Sequence, residues 1–313
     1  LSIVNTVLGP RESSELGFTL SHEHILLSSA GIEDTFPEFI DKEFAIEEGI
    51  RQLSEAKAEG VDTIIDLSTM DLGRNVRVIE EVAKGSGVNV VVATGTWLDI
   101  PRSFAASSPD EIAPLYVREI TTGIQGTGIK AGVIKVANEP EVSEAGEIIL
   151  RAAARAHQRT NVPIYTHTMA KNRVGERQIE IFTDEGIDLN RVCIGHSNDS
   201  TDIGYLTGLM DKGAWLGLDR YPGQGVTWQE RTEVLFKLIQ AGYGTRMMLS
   251  HDWSVAATMM TKQRLTERPL TNPDNYLFIT RNVLPMLTEL GASQGQIDAL
   301  MVDNPKHFWD GGS

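Results

Sequence analysis

A single cysteine in 313 residues removes two architectures at once. Cys193 has no intrachain disulfide partner, and no thiolate metal cluster can be assembled around it. Positive charge is also scarce. Lys and Arg number 28 against 43 Asp and Glu, a net charge of -15, which argues against nucleic acid or an anionic membrane surface as a partner held by bulk charge. No apolar run approaches the roughly 18 residues of a membrane span. Low-complexity linkers, charge blocks and short solenoid repeats are missing as well. A chain starting at Leu1, without an initiator Met or a signal-peptide pattern, is expected in the cytoplasm, with a removed leader left open.

What remains is a 41% hydrophobic chain, long enough for one large core. Short apolar runs alternate with longer amphipathic ones, the pattern of strand and crossover helix. A first strand runs into Gly17-Phe18-Thr19-Leu20-Ser21-His22-Glu23-His24, and seven more are expected at 63–67, 89–94, 131–135, 162–166, 191–195, 214–218 and 246–250. Helical spacing fills the gaps at 43–58, 76–83, 110–122, 144–159, 176–185, 201–212 and 229–240. Gly60, Gly186, Gly213 and Gly242 act as helix stops. Eight parallel strands with helices between them predict an α/β fold, a TIM (β/α)8 barrel, with residues 1–313 as one domain. An open doubly wound sheet, the alternative, needs a topological switch point and usually has a Gly-rich phosphate turn after the first strand. His-Glu-His stands there instead.

In a barrel the active site lies at the carboxyl ends of the strands. His22 and His24, two apart in an extended strand, point to one face and make a bidentate grip for a metal ion. Such a pair alone is common on ordinary strands. It gains weight because His167 follows strand five, His196 strand six and Asp252 strand eight, so polar residues of ligating type fall at several strand ends. Lys135 closes an apolar run, where burial lowers an ammonium pKa and exposes a nucleophilic amine. That amine either reacts with carbon dioxide to give an anionic carbamate among metal ions, or snorkels to solvent or pairs with Glu139.

Several motifs together resemble the phosphotriesterase family of the amidohydrolase superfamily over nearly the whole chain. They are Asn-Thr-Val-Leu-Gly-Pro (5–10), Gly-Phe-Thr-Leu-Ser-His-Glu-His (17–24), Ser-Thr-Met-Asp-Leu-Gly-Arg-Asn (68–75) and Thr-Gly-Ile-Lys-Ala-Gly-Val-Ile-Lys-Val (127–136). Thr-His-Thr (166–168), Arg-Val-Cys-Ile-Gly-His-Ser-Asn-Asp (191–199), Leu-Ser-His-Asp-Trp (249–253) and Asp-Asn-Pro (303–305) complete the set. The resemblance implies two divalent metal ions, with His22, His24 and Asp252 on the more buried one, His167 and His196 on the more exposed one, and carboxylated Lys135 bridging. The implied reaction is attack on an ester by a hydroxide that bridges the metals, with Asp252 taking the proton. Nitrogen and oxygen ligands without sulfur suit Zn, Co, Mn or Fe, with Zn the leading candidate. A homodimer is implied too, and Phe36 and Phe39 are candidates for its contact.

The loops mix two branches of that family. Gly-Leu-Asp-Arg-Tyr (217–221), the short stretch 222–227 and Ser-His-Asp (250–252) resemble the lactonase branch, whereas Trp97 and Asp252-Trp253 look more like phosphotriesterases proper. The expected substrate is therefore a lactone, acyl-homoserine lactones included, with side activity on organophosphate triesters; a main triesterase activity is the alternative, and a non-catalytic metal-stabilised binding protein is the second. Leu72, Trp97, Leu98, Tyr221 and Trp253 are candidates for the substrate pocket. Asp199 with Arg220 forms either a proton relay from Asp252 or an ordinary ion pair. Glu23 and His251 should face away from the metals as structural residues. Cys193 is expected to face the surrounding helices as an inert thiol.

Overall fold

In a computed structural model that describes residues 2–257 and 270–311, the alternation becomes a ring of parallel strands wrapped in helices. The strands are β3 (Thr19–Leu27), β4 (Thr63–Asp66), β5 (Asn89–Thr96), β6 (Val133–Asn138), β7 (Ile164–Thr168), β8 (Val192–Ile194), β9 (Trp215–Leu218), β10 (Met247–Leu249) and β11 (Ser254–Ala257). Each pairs in parallel with the next from β3 to β10, and β11 returns to β3, with Ser254 opposite His24 and Ala257 opposite Leu27. The last two are the lower and upper halves of one broken strand. Nine segments therefore make eight barrel staves, the TIM barrel expected from the sequence.

Helices Lys42–Ala58, Val76–Ser86, Pro109–Thr121, Glu144–Thr160, Val174–Asp184, Ile203–Asp211 and Trp228–Gln240 fill the crossovers, each within about three residues of its expected bounds. Their starts are set by local chemistry. Asn75 accepts from the backbone N–H groups of Arg77 and Val78, and Thr227 with Glu230 forms a reciprocal capping box, which satisfies N–H groups that a helix cannot pair internally. No helix among the described residues is long and apolar enough to cross a membrane.

Alternation along the strands sorts side chains into two apolar layers. Val90, Val92, Ile134, Val192 and Ile194 face outward to Val82, Ile149 and Phe182 of the helices. Val91, Ala93, Val133, Tyr165, Cys193 and Met248 fill the barrel interior above Phe308 and Trp309. Cys193 thus points into the barrel, contrary to the expectation. The parity counted back from His196 fails because β8 ends at Ile194 and His196 is left-handed (φ 58°).

Three strand expectations also change. The first strand does not end at His24 but continues to Leu27, because β11 pairs with its upper half. His167 likewise lies within β7 rather than after it, and Lys135, expected to close its strand, sits in the middle of β6. The eighth strand, expected as 246–250, is interrupted at 250–253. Finally, β1 (Ile3–Thr6) and β2 (Gly9–Glu12) form an antiparallel hairpin the sequence did not announce. It is stitched under the barrel by Val7 N–H to the Val90 carbonyl (2.9 Å) and Asn5 Nδ2 to the Ala131 carbonyl (2.9 Å).

Candidate metal centre

At the carboxyl end of the barrel, the four expected histidines meet from β3, β7 and the turn after β8. Each is tied at its outer ring nitrogen. His22 Nδ1 bonds Asp219 Oδ2 (2.7 Å), His24 Nδ1 bonds Ser68 Oγ (2.9 Å), His196 Nδ1 bonds Asp219 Oδ1 (2.9 Å), and His167 Nε2 bonds Glu139 Oε2 (2.9 Å). The inner nitrogens then face one another: His167 Nδ1 and His196 Nε2 are 2.8 Å apart, and His24 Nε2 lies 3.2 Å from Asp252 Oδ1. One ligating atom each from His22, His196 and Asp252 fall within 4.8 Å of one another. A metal-ligating imidazole characteristically donates its other N–H to an outer acceptor, which fixes tautomer and ring angle. All four rings meet that condition, so the residues present fit a metal site.

Asp219 is the residue that sequence reading passed over. Quoted only as part of a loop signature, it is fully buried and takes four donors: both histidines, His196 N–H (2.7 Å) and the Tyr165 hydroxyl (2.8 Å). Burial opposes its ionisation, but His196 and His22 outweigh it and hold the carboxyl well below the ordinary range. Gly217 makes the approach possible, since a Cβ there would fall 2.2 Å from the Tyr165 hydroxyl oxygen. An Asp closing an apolar strand beside a Gly was the available signal.

The break in the eighth strand has its own brace. Glu23, between the two histidines, faces away from the metal cavity as expected, and its buried carboxylate accepts from Ser250 Oγ (2.6 Å), His251 N–H (3.0 Å), His251 Nδ1 (2.6 Å) and Trp253 N–H (2.9 Å). Four donors gathered from three of the four residues at 250–253 hold the turn in which Asp252 takes a left-handed conformation (φ 56°). Asp252 is thereby delivered to the cavity. His251, expected to be structural, also accepts from Ile279 N–H (3.1 Å).

Lys135 is 1% exposed, which excludes snorkelling, and Glu139 is occupied by His167 instead. Its Nζ sits 3.5 Å from His22 Nε2 and 3.4 Å from the Thr166 carbonyl. Burial brings the amine down to about 8, and the same cause lowers His22 to about 4. His167 and His196 are pushed down by burial as well. Neutral imidazoles and a readily deprotonated amine are the forms that bind metals and react with carbon dioxide. Asp252 stays ionised despite burial because His22, His24 and Arg220 stabilise the anion.

Arg220 stands at the rim. Its Nε donates to Asp252 Oδ2 (3.2 Å) and its Nη1 to Asp199 Oδ2 (2.7 Å), while Arg231 Nη2 holds Asp199 Oδ1 (2.8 Å). Asp199 and Arg220 are thus brought to Asp252 as one chain of charges. The cavity beneath, about 130 Å3, is walled by the histidines, Lys135 and Asp252 with Leu27, Leu72, Trp97 and Arg220. Of the expected pocket residues, Leu72 and Trp97 line it. Leu98 lines a neighbouring cavity, Tyr221 is packed in the outer core, and Trp253 is buried with its indole N–H on Gln52 Oε1 (2.9 Å). Asp71, not singled out from sequence, holds the Trp97 loop by accepting from Trp97 N–H (3.0 Å) and Asp99 N–H (3.2 Å).

Comparison with known proteins follows the same outline. The Phosphotriesterase family model matches residues 2–309. A phosphotriesterase homology protein of Mycobacterium tuberculosis is 38% identical, with 98% of this chain and 97% of that one aligned. An aryldialkylphosphatase of Saccharolobus solfataricus is 36% identical, covering 95% and 96%. The solved structure of the phosphotriesterase from Mycobacterium tuberculosis superposes with a TM-score of 0.93 at 38% identity, over 99% of this chain and 100% of that one.

Proposed function

The chain belongs to the phosphotriesterase family and is a hydrolase, and from that premise we propose that it opens lactones, acyl-homoserine lactones among them, with organophosphate triesters as a secondary substrate class. The observation that carries the reading is the four-histidine arrangement whose outer nitrogens are all engaged and whose inner nitrogens converge with Asp252 and Lys135. We assign His22, His24 and Asp252 to one divalent metal ion, His167 and His196 to a second, and a carbamate on Lys135 to the bridge between them; Zn is the leading candidate, with Co, Mn or Fe as alternatives. Bound there, the ions supply Lewis acidity toward the ester oxygen and an acidified water.

The rest is work of the chain's own residues. Asp252 accepts a proton at Oδ1 or Oδ2, and Arg220, bonded to Oδ2, steadies the anion before that transfer and passes the charge balance outward to Asp199. Leu72 and Trp97 offer apolar contact and exclude water from the reacting face. The lactonase assignment is favoured by Arg220 at the rim and by the short stretch from Asp219 to the helix that starts at Trp228. Trp97 and the name of the aryldialkylphosphatase relative favour triesters as the main substrate, which is the second reading. Phe36 and Phe39, 52% and 63% exposed, support a homodimer contact.

The test is a panel of lactones and an aryl dialkyl phosphate assayed with metal-loaded protein and with Asp252→Asn, metal content measured alongside. Two metal equivalents and lactone turnover lost in Asp252→Asn are expected. A higher kcat/KM for the triester than for every lactone would overturn the substrate ranking. Full activity and two bound metals in Lys135→Ala would remove the bridge.

A further inference from the structure

Beside the metal cavity lies a second one of about 220 Å3, sharing no lining residue with the first. The partition is Trp97, His167 and Glu139, joined by the Trp97 Nε1 and Glu139 contacts to the His167 ring. One wall is apolar, from Leu98, Ile100, Ala137 and Met169; the other carries Asn138, Glu139, Glu141 and Ser143.

Asn138 is 3% exposed, and its amide orientation is determined by its neighbour. Gln178 Nε2 donates both to Asn138 Oδ1 (2.8 Å) and to the His167 carbonyl (3.0 Å). Turning Asn138 over would set N–H against N–H, and turning Gln178 over as well would set oxygen against the His167 carbonyl. Asn138 Nδ2 is therefore left toward the cavity, with no hydrogen-bond acceptor among the described residues. Gly146 keeps space for it, since a Cβ there would lie 2.4 Å from Nδ2. Gly146 is the third residue of the 17-residue helix Glu144–Thr160. Ser143 Oγ takes its N–H (3.1 Å), while the N–H groups of Glu144 and Ala145 have no intrahelical acceptor.

These groups select a ligand by exclusion. A cation drawn to Glu139 and Glu141 would face the hydrogens of Asn138 and the positive end of a helix, and an anion drawn to those donors would face the two carboxylates, so each ion meets attraction and repulsion in the same cavity. A neutral acceptor avoids both penalties and pairs the amide hydrogens that Asn138 turns to the cavity. We propose that this cavity is a binding subsite for a neutral small molecule carrying a carbonyl oxygen on a short apolar body, a secondary amide above all. The oxygen accepts from Asn138 Nδ2, the amide N–H gives to Glu139 Oε1, and the alkyl groups lie on Leu98, Ile100 and Met169. Because Glu139 Oε2 holds His167, the ligand sits two hydrogen bonds from the ring that faces the metal cavity.

Binding is read without turnover, so loss of the lactonase reading would leave this test intact. The probe is N-propylbutanamide, titrated into metal-loaded protein and followed by ligand-observed NMR. Saturable binding to one site is expected, weaker for butyrate and butylammonium. Asn138→Asp keeps the acceptor for Gln178 and removes the donor; it should weaken binding at least tenfold. Ile100→Trp, at a half-buried wall position, should block the cavity, and it decides alone if Asn138→Asp does not fold. No saturable binding, equal affinity in the folded variants, or tighter binding of either ion would overturn the proposal.

Discussion

The two ends of the barrel use buried polar groups in opposite ways. At the base, Arg191 is buried and donates to backbone carbonyls, Nη1 to Phe308 (3.1 Å) and Trp309 (2.5 Å) and Nη2 to Asn161; burial lowers its pKa, and the opposing pull of Asp310 and Asp188 is too weak to restore it. At the mouth, burial also disfavours charge on Arg220, yet Asp252 and Asp199 more than compensate and raise its pKa. The base joins chain ends that are far apart in sequence, with Asp310 accepting from Ser2 N–H (2.8 Å) and Ser13 Oγ (2.6 Å) beneath the Phe308 and Trp309 rings. The mouth gathers ionisable groups that would repel or neutralise one another unless a metal or a counter-charge held them. Stability and chemistry are thus placed at opposite ends of one barrel, as the architecture allows.

That division can be broken by substitution, and the largest effects come first. Asp252→Asn should lower kcat/KM by roughly 10³-fold, the scale of a lost general base, with the urea midpoint little changed; a collapse of the fold would show that the mouth carries stability after all. Phe308→Ala should do the converse. Loss of a fully buried aromatic costs about 3–5 kcal/mol in chemical denaturation, and metal affinity of the folded fraction should be retained. Asp219→Asn should weaken metal binding about 10- to 100-fold, the usual cost of removing an outer partner of ligating imidazoles, measured by metal titration of the apo-protein.

Acid should separate the ends further. His22 has a folded pKa lowered to about 4 from 6.5, so on acidification the unfolded chain takes up a proton before the folded one does. Metal-free protein should lose stability as pH falls from 6.5 toward 4. Asp310 behaves otherwise. Burial opposes its ionisation, but Ser13, Lys306 and Ser2 bring it down to about 2, so its contribution is present above about 3.8 and is lost only as pH falls toward 2. Urea melts at pH 7.5, 5 and 3.5, repeated with Asp310→Asn, check the sign; a larger loss for the variant at pH 5 than at pH 7.5 would contradict it. At neutral pH the Asp310→Asn cost itself should be smallest, about 1 kcal/mol.

Much of this organisation is legible in the residues taken in order. Period-two and helical spacing marked the strands and helices, because apolar faces must be buried in both layers, and the ligand types at His22, His24, Lys135, His167, His196 and Asp252 pointed to one end of the barrel. The parity of Cys193 was misjudged, since alternation is meaningful only while the chain stays extended. Tyr221 and Trp253 were read as pocket residues from their type, but burial depends on what packs over them. The hairpin of β1 and β2 has only four residues a side, and its pairing shows no local pattern.

Local sequence therefore determined which residues could alternate, turn and bind, since propensity and side-chain chemistry act over a few positions. Tertiary structure alone decided that Asp219 serves one histidine from β3 and another from the turn after β8, that Glu23 clamps a turn 227 residues away through Ser250, and that Asn138 faces an open cavity. Those depend on three-dimensional distance, and a buried donor or acceptor takes its partner from whatever the closed barrel brings within about 3 Å.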